Sequence, residues 1–135
     1  GTLIHNILKQ VNEITDVDNA MDSAVHKGLI TEVEKPAIKK EIEAVFKIDG
    51  VANLFTDFDE LKNERSILLT SGESYQPDRV VVKNGKTYLV DYKTGEPNPS
   101  YEKQVTEYRN LLTQMGYQNI GSYLLYIKSG ELVGV

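Results

Sequence analysis

Asp78-Arg79-Val80-Val81-Val82-Lys83-Asn84-Gly85-Lys86-Thr87-Tyr88-Leu89-Val90-Asp91-Tyr92-Lys93 is two β-rich runs parted by Asn-Gly. A type I′ turn needs positive φ at both central residues, which Asn and Gly tolerate best, so this spacing predicts a two-residue β-hairpin. The register follows: Lys83 faces Lys86, Val82 faces Thr87, Val80 faces Leu89, and Asp78 faces Asp91. Period-two alternation puts Lys93 on the face of Asp91 and turns Arg79, Val90 and Tyr92 to the other side.

Two carboxylates facing each other repel by roughly 3 kcal/mol at about 5 Å and an effective dielectric of about 20, more than a cross-strand pair repays. Something must compensate. A divalent cation does so naturally, since Mg²⁺ is usually held by one or two carboxylates plus water and phosphate oxygens. The neighbouring ammonium of Lys93 is placed to hold a water or to stabilise negative charge developing on a phosphate.

On the N-terminal side of the hairpin the pattern is helical. Leu3, Ile4, Ile7, Leu8, Val11 and Ile14 form one apolar stripe, with His5 off its centre beside Leu8. A second helix is expected after Thr15, carrying Val17, Ala20, Met21, Ala24 and Val25 inward and closing at Gly28. Thr31 and Glu34 have capping-box spacing and Pro36 suits a first turn, so a third helix should run to about Lys47 on Ile38, Ile42, Val45 and Phe46. The character changes near Asn63: Arg65 to Thr70 is β-compatible, and a polar loop leads into the hairpin. Beyond it, Asn98-Pro99 reads as N-cap and N1 of a helix with Tyr101, Val105, Tyr108, Leu112 and Met115 on one face, ended by Gly116. Ser122 to Val135 reads as a strand, a Ser129-Gly130 turn and a short return.

The chain has 135 residues and no cysteine, with a formal net charge of -5. One domain, residues 1–135, is expected, held by a core without disulfides, zinc knuckles or a thiol nucleophile. No apolar run approaches a membrane span, and the start lacks a signal peptide, which makes the cytoplasm the expected compartment. The acidic balance counts mildly against a self-sufficient nucleic-acid binder. Asp16-x-Asp18 and Asp57-x-Asp59 lack the glycine and the twelfth-position glutamate of a calcium loop, and Gly85-Lys86-Thr87 belongs to a hairpin rather than a P-loop.

Pro77-Asp78, twelve intervening residues, then Asp91-Tyr92-Lys93 resembles the PD-(D/E)xK nuclease signature. The surroundings narrow the resemblance. Gly1-x-x-x-His5, Asp78-Arg79-Val80-Val81, Val90-Asp91-Tyr92-Lys93-Thr94-Gly95 and Tyr101-x-x-Gln104-x-x-x-Tyr108 are similar, in that order, to the RecB-like nuclease domain at the C-terminal end of recombination and repair helicase-nucleases. It covers nearly the whole chain.

The resemblance implies an α/β fold with a restriction-endonuclease-like core, a small mixed β-sheet flanked by helices with an N-terminal helical portion. It implies that Asp78 and Asp91 ligate Mg²⁺ or Mn²⁺, helped by the backbone carbonyl of Tyr92 and by His5. Lys93 would orient the attacking water, Gln104 and Tyr108 would line the site and contact the scissile strand, and Glu64 is a further acidic candidate. The implied activity is metal-dependent DNA hydrolysis, with exonuclease expected over endonuclease action. The implied partners are DNA and a helicase motor, in the same longer chain or in a partner subunit. Because the sequence opens on the first motif with no motor ahead of it, an excised or stand-alone module is expected. The alternatives are a catalytically weak nuclease-fold module that binds DNA or anchors a helicase, and a related enzyme acting on RNA.

Overall fold

The computed structural model describes residues 2–62, 67–68, 72 and 74–135. It is a mixed α/β domain, as a restriction-endonuclease-like core requires. Three helices lead: α1 (Thr2–Lys9), α2 (Val17–His26) and α3 (Lys35–Phe46). Short strands β1 (Glu60–Lys62), β2 (Ile67–Leu68) and β3 (Ser74–Tyr75) come next, then the hairpin β4 (Arg79–Lys83) and β5 (Lys86–Lys93). Helix α4 (Pro99–Gln114) crosses over to β6 (Ile120–Tyr126), and β7 (Glu131–Gly134) turns back beside it.

The five-stranded sheet has the order β1-β4-β5-β6-β7, with β5 and β6 parallel and the other neighbours antiparallel. Strands β2 and β3 pair by themselves. The hairpin register is the expected one, from Lys83 opposite Lys86 to Arg79 opposite Val90. Asn84 and Gly85 both take positive φ, 52° and 78°, as a type I′ turn demands. Asp59 holds this turn, its carboxylate accepting from the Asn84 N–H at 2.9 Å.

Alternation along β4, β5 and β6 divides the core in two. Val81, Val90, Tyr92 and Leu125 face α1, α2 and α3, whereas Val80, Leu89, Leu124 and Tyr126 face Val105, Tyr108 and Leu112 of α4. The caps work as read: Thr31 and Glu34 exchange backbone-to-side-chain bonds ahead of α3, and Asn98 accepts from the Ser100 N–H at the start of α4. Gly28 and Gly116 take the positive φ that ends a helix. Among the described residues no helix is long and apolar enough to cross a membrane.

Two expectations change, and one strand comes unannounced. The first helix stops at Lys9, not near Ile14, because the Val11 and Asn12 carbonyls turn away to meet the Arg79 guanidinium and the Ile14 N–H bonds Phe55. Val11 is still buried, so the apolar stripe is real although the helix beneath it is shorter. Met115, expected inward, caps α4 and is largely exposed. Strand β1, with Leu61 its one apolar residue, carries no alternation to announce it. Of the Arg65–Thr70 segment only Ile67 and Leu68 are described, and they form β2; the rest lies outside the described residues.

Candidate functional site

The two strands of the hairpin part at Arg79 and Val90, and the next residues toward the strand ends are Asp78 and Asp91. Each carboxylate reaches across to the other strand's backbone. Asp78 Oδ2 accepts from the Tyr92 N–H at 2.8 Å, and Asp91 Oδ1 accepts from the Asp78 N–H at 3.2 Å. This crossed pair of bonds fixes both side chains and leaves Asp78 Oδ1 and Asp91 Oδ2 for other partners.

Cationic and imidazole groups take those two oxygens. His5, on α1, brings Nε2 to 3.0 Å from Asp78 Oδ1, with its ring edge-on to Tyr92. Lys9, one turn further along the same helix face, brings Nζ to 3.7 Å from the same oxygen. On the other flank, Lys93 Nζ sits 3.0 Å from Asp91 Oδ2 and 4.4 Å from the centre of the Tyr101 ring at the start of α4.

Burial makes this arrangement electrostatically tense. The two carboxylate side chains are 9% and 5% exposed. Burial, then the hydrogen-bonded and charged Asp78 beside it, pushes the Asp91 carboxyl up to about 6, although Lys93 pulls the other way. For Asp78 burial also pushes upward, but the His5 contact, the Asp91 side chain and the Tyr92 N–H outweigh it and hold this carboxyl below its ordinary value. One acid of the pair is therefore firmly ionised, and the other is poised to take a proton or a cation.

Thus the fold gathers His5, Asp78, Tyr92, Asp91 and Lys93 at one end of the hairpin. Gln104 lies on α4 one turn beyond Tyr101 and is half-buried, while Tyr108 is buried in the α4-side core with its ring edge-on to Tyr75. Glu64 lies outside the described residues. Among the described residues no group of three or more His, Asp or Glu side chains stands arranged to hold a metal ion. Lys9 and Tyr75 belong to the cluster and were not anticipated. The four-residue step from His5 to Lys9 was a signal for the first; for Tyr75, in a polar loop, there was none.

The chain resembles part of a known helicase/nuclease. It is 23% identical over 167 residues to an ATP-dependent helicase/nuclease subunit from Staphylococcus saprophyticus, in a match covering 98% of this chain and 14% of that protein. The chain therefore spans about one seventh of the length of the curated relative it matches. No protein-family model matches it. The similarity is consistent with the RecB-like motifs and takes in nearly the whole stretch from Gly1 to Tyr108 over which they are spread.

Proposed function

We propose that this chain is a metal-dependent nuclease module that hydrolyses phosphodiester bonds in DNA, the RecB-like nuclease part of a recombination or repair helicase-nuclease, working in the cytoplasm. The observation that carries the reading is the crossed Asp78–Asp91 pair with Lys93 on its outer oxygen. Two buried carboxylates in contact suit a hard divalent cation, and the raised Asp91 carboxyl marks where positive charge is wanted. Asp78, Asp91, His5 and the Tyr92 carbonyl would hold Mg²⁺ or Mn²⁺, with Glu64 a further candidate. His5 Nε2 now bonds Asp78, so its use as a ligand exchanges that bond for the ion. Bound there, the ion supplies Lewis-acid chemistry, polarising a phosphoryl oxygen and making water a competent nucleophile near neutral pH.

The chain's own groups do the rest. Lys93, steadied over Tyr101, orients the attacking water, and its charge opposes the negative charge that builds on the phosphate. Gln104 and Tyr108, presented by α4, line the approach of the scissile strand. A net charge of -5 leaves little to attract DNA, so delivery of the strand falls to a helicase motor in the same longer chain or a partner subunit.

The test is cleavage of linear single-stranded, linear double-stranded and circular DNA with Mg²⁺, Mn²⁺ or EDTA, beside Asp91→Ala and Lys93→Ala. Linear DNA is expected to be degraded in a metal-dependent way that both substitutions abolish. Activity that survives EDTA and both changes would refute the mechanism. A second reading, a binding module without turnover, is favoured by one observation: every carboxylate oxygen of the pair already has a partner from the protein. Metal uptake without cleavage would select it, and parallel assays on RNA decide the substrate class.

A further inference from the structure

Tyr75 ends β3 three residues ahead of Asp78 and is 7% exposed. Its ring packs edge-on against Tyr108 at 5.4 Å between centroids, in the core that also contains Val80 and Leu89. Packing alone would be served equally well by phenylalanine. The hydroxyl, however, is buried and has no hydrogen-bond partner among the described residues. Such an orphan is costly in a native fold and calls for a partner that no described residue supplies.

The hydroxyl lies near enough to Asp91 to feel its charge without forming a well-made hydrogen bond to it. A phenol is protonated at neutral pH, so Tyr75 offers a donor and not a base.

We propose that the Tyr75 hydroxyl donates a hydrogen bond to a non-bridging oxygen of the phosphate that reacts at the Asp78–Asp91 pair. The proposal rests on the nuclease reading above. The phosphate oxygen supplies the acceptor that the buried hydroxyl lacks, and the bond strengthens as negative charge gathers on that oxygen. Because Tyr75 also packs on Tyr108, it couples the α4 face to the reacting group.

The experiment compares the wild type with Tyr75→Phe on DNA carrying one normal linkage or one stereodefined phosphorothioate, alongside thermal melting with and without Mg²⁺. Tyr75→Phe removes no well-formed hydrogen bond among the described residues, so its Tm is expected to equal or exceed that of the wild type, and Mg²⁺ should raise both equally. Its kcat should fall roughly a hundredfold with KM within about threefold, as for the loss of one transition-state donor. For one of the two phosphorothioate stereoisomers, the rate penalty seen in the wild type should shrink in the variant. Equal kcat in an active wild type and in Tyr75→Phe would overturn this role and leave the nuclease reading standing. So would a rate loss matched by a fall in Tm with an unchanged phosphorothioate penalty. A wild type inert with both Mg²⁺ and Mn²⁺ would overturn the nuclease reading and this role together.

Discussion

Asp78 and Arg79 are adjacent in the chain, yet the hairpin's alternation sends them to opposite faces, where buried charge is handled in opposite ways. Arg79 is 4% exposed and closed in by groups that cannot leave. Its guanidinium donates to the carbonyls of Leu54, Val11 and Asn12 at 2.8, 3.1 and 2.6 Å and lies 4.0 Å over the Phe55 ring, with Phe58 further out. Those partners are backbone dipoles and aromatic faces, fixed when the domain folds. The outer oxygens of Asp78 and Asp91 are met by side chains that can swing away: His5, Lys9 and Lys93. Fixed partners make a structural charge; displaceable partners leave a charge available for chemistry.

The contrast can be broken first at Arg79. Arg79→Met leaves three interior carbonyls without their donor, a loss on the order of 3–5 kcal/mol, and the melting temperature should fall by roughly 10 °C or more. A shift under about 2 °C by circular dichroism would show that Arg79 does not brace the fold.

Asp91→Asn should have the opposite sign. The ionised Asp91 is held against its tendency to take a proton, so removing the charge should raise Tm without divalent ions while lowering cleavage at least about a hundredfold. The pH dependence follows from the same shift. The folded-state value near 6 lies above the ordinary 3.8, so Asp91's contribution to stability is full below about 4 and is lost as pH rises through 6. Asp78, held below 3.8, contributes stability above that value, which fails only in stronger acid. Between pH 7 and pH 4 the metal-free wild type should gain Tm relative to Asp91→Asn, and the Tm increase produced by Mg²⁺ should shrink, because protons and metal compete for the same carboxylate. Differential scanning calorimetry at several pH values reads both.

The smallest effect belongs to Lys9, which is half exposed and 3.7 Å from its oxygen. Lys9→Met should change stability by less than about 1 kcal/mol. It should tighten Mg²⁺ binding a few-fold, measured by calorimetric titration, because one competitor for Asp78 is gone. Weaker Mg²⁺ binding would show that Lys9 supports the site rather than competing for it.

Much of this was legible because short-range rules were strong where they mattered. Asn84-Gly85 sets the register that brings Asp78 to Asp91, and Asn98-Pro99 starts α4 where it begins. What could not be read was decided by contacts between distant segments. Nothing local to Val11 or Asn12 announces that Arg79 will claim their carbonyls and cut the first helix short. The alternation that turned Arg79 away from the acids was visible; its role as a brace was not, because its partners come from two separate loops. Tyr75 reaches the site through the packing of α4 against the sheet, which no pattern near residue 75 encodes.

The two-residue turn at Asn84-Gly85 also bears on the order in which the site is assembled. Closing so short a loop costs little chain entropy, so β4 and β5 can pair early, whereas β5 and β6 must wait for the crossover through α4. The like-charged pair is then already face to face in a nascent hairpin, before α1 delivers His5 and Lys9 or α4 brings Tyr101 beneath Lys93. Refolding should therefore speed up in mild acid or with Mg²⁺ present from the start, each relieving the repulsion at the stage when the chain has least else to hold it together.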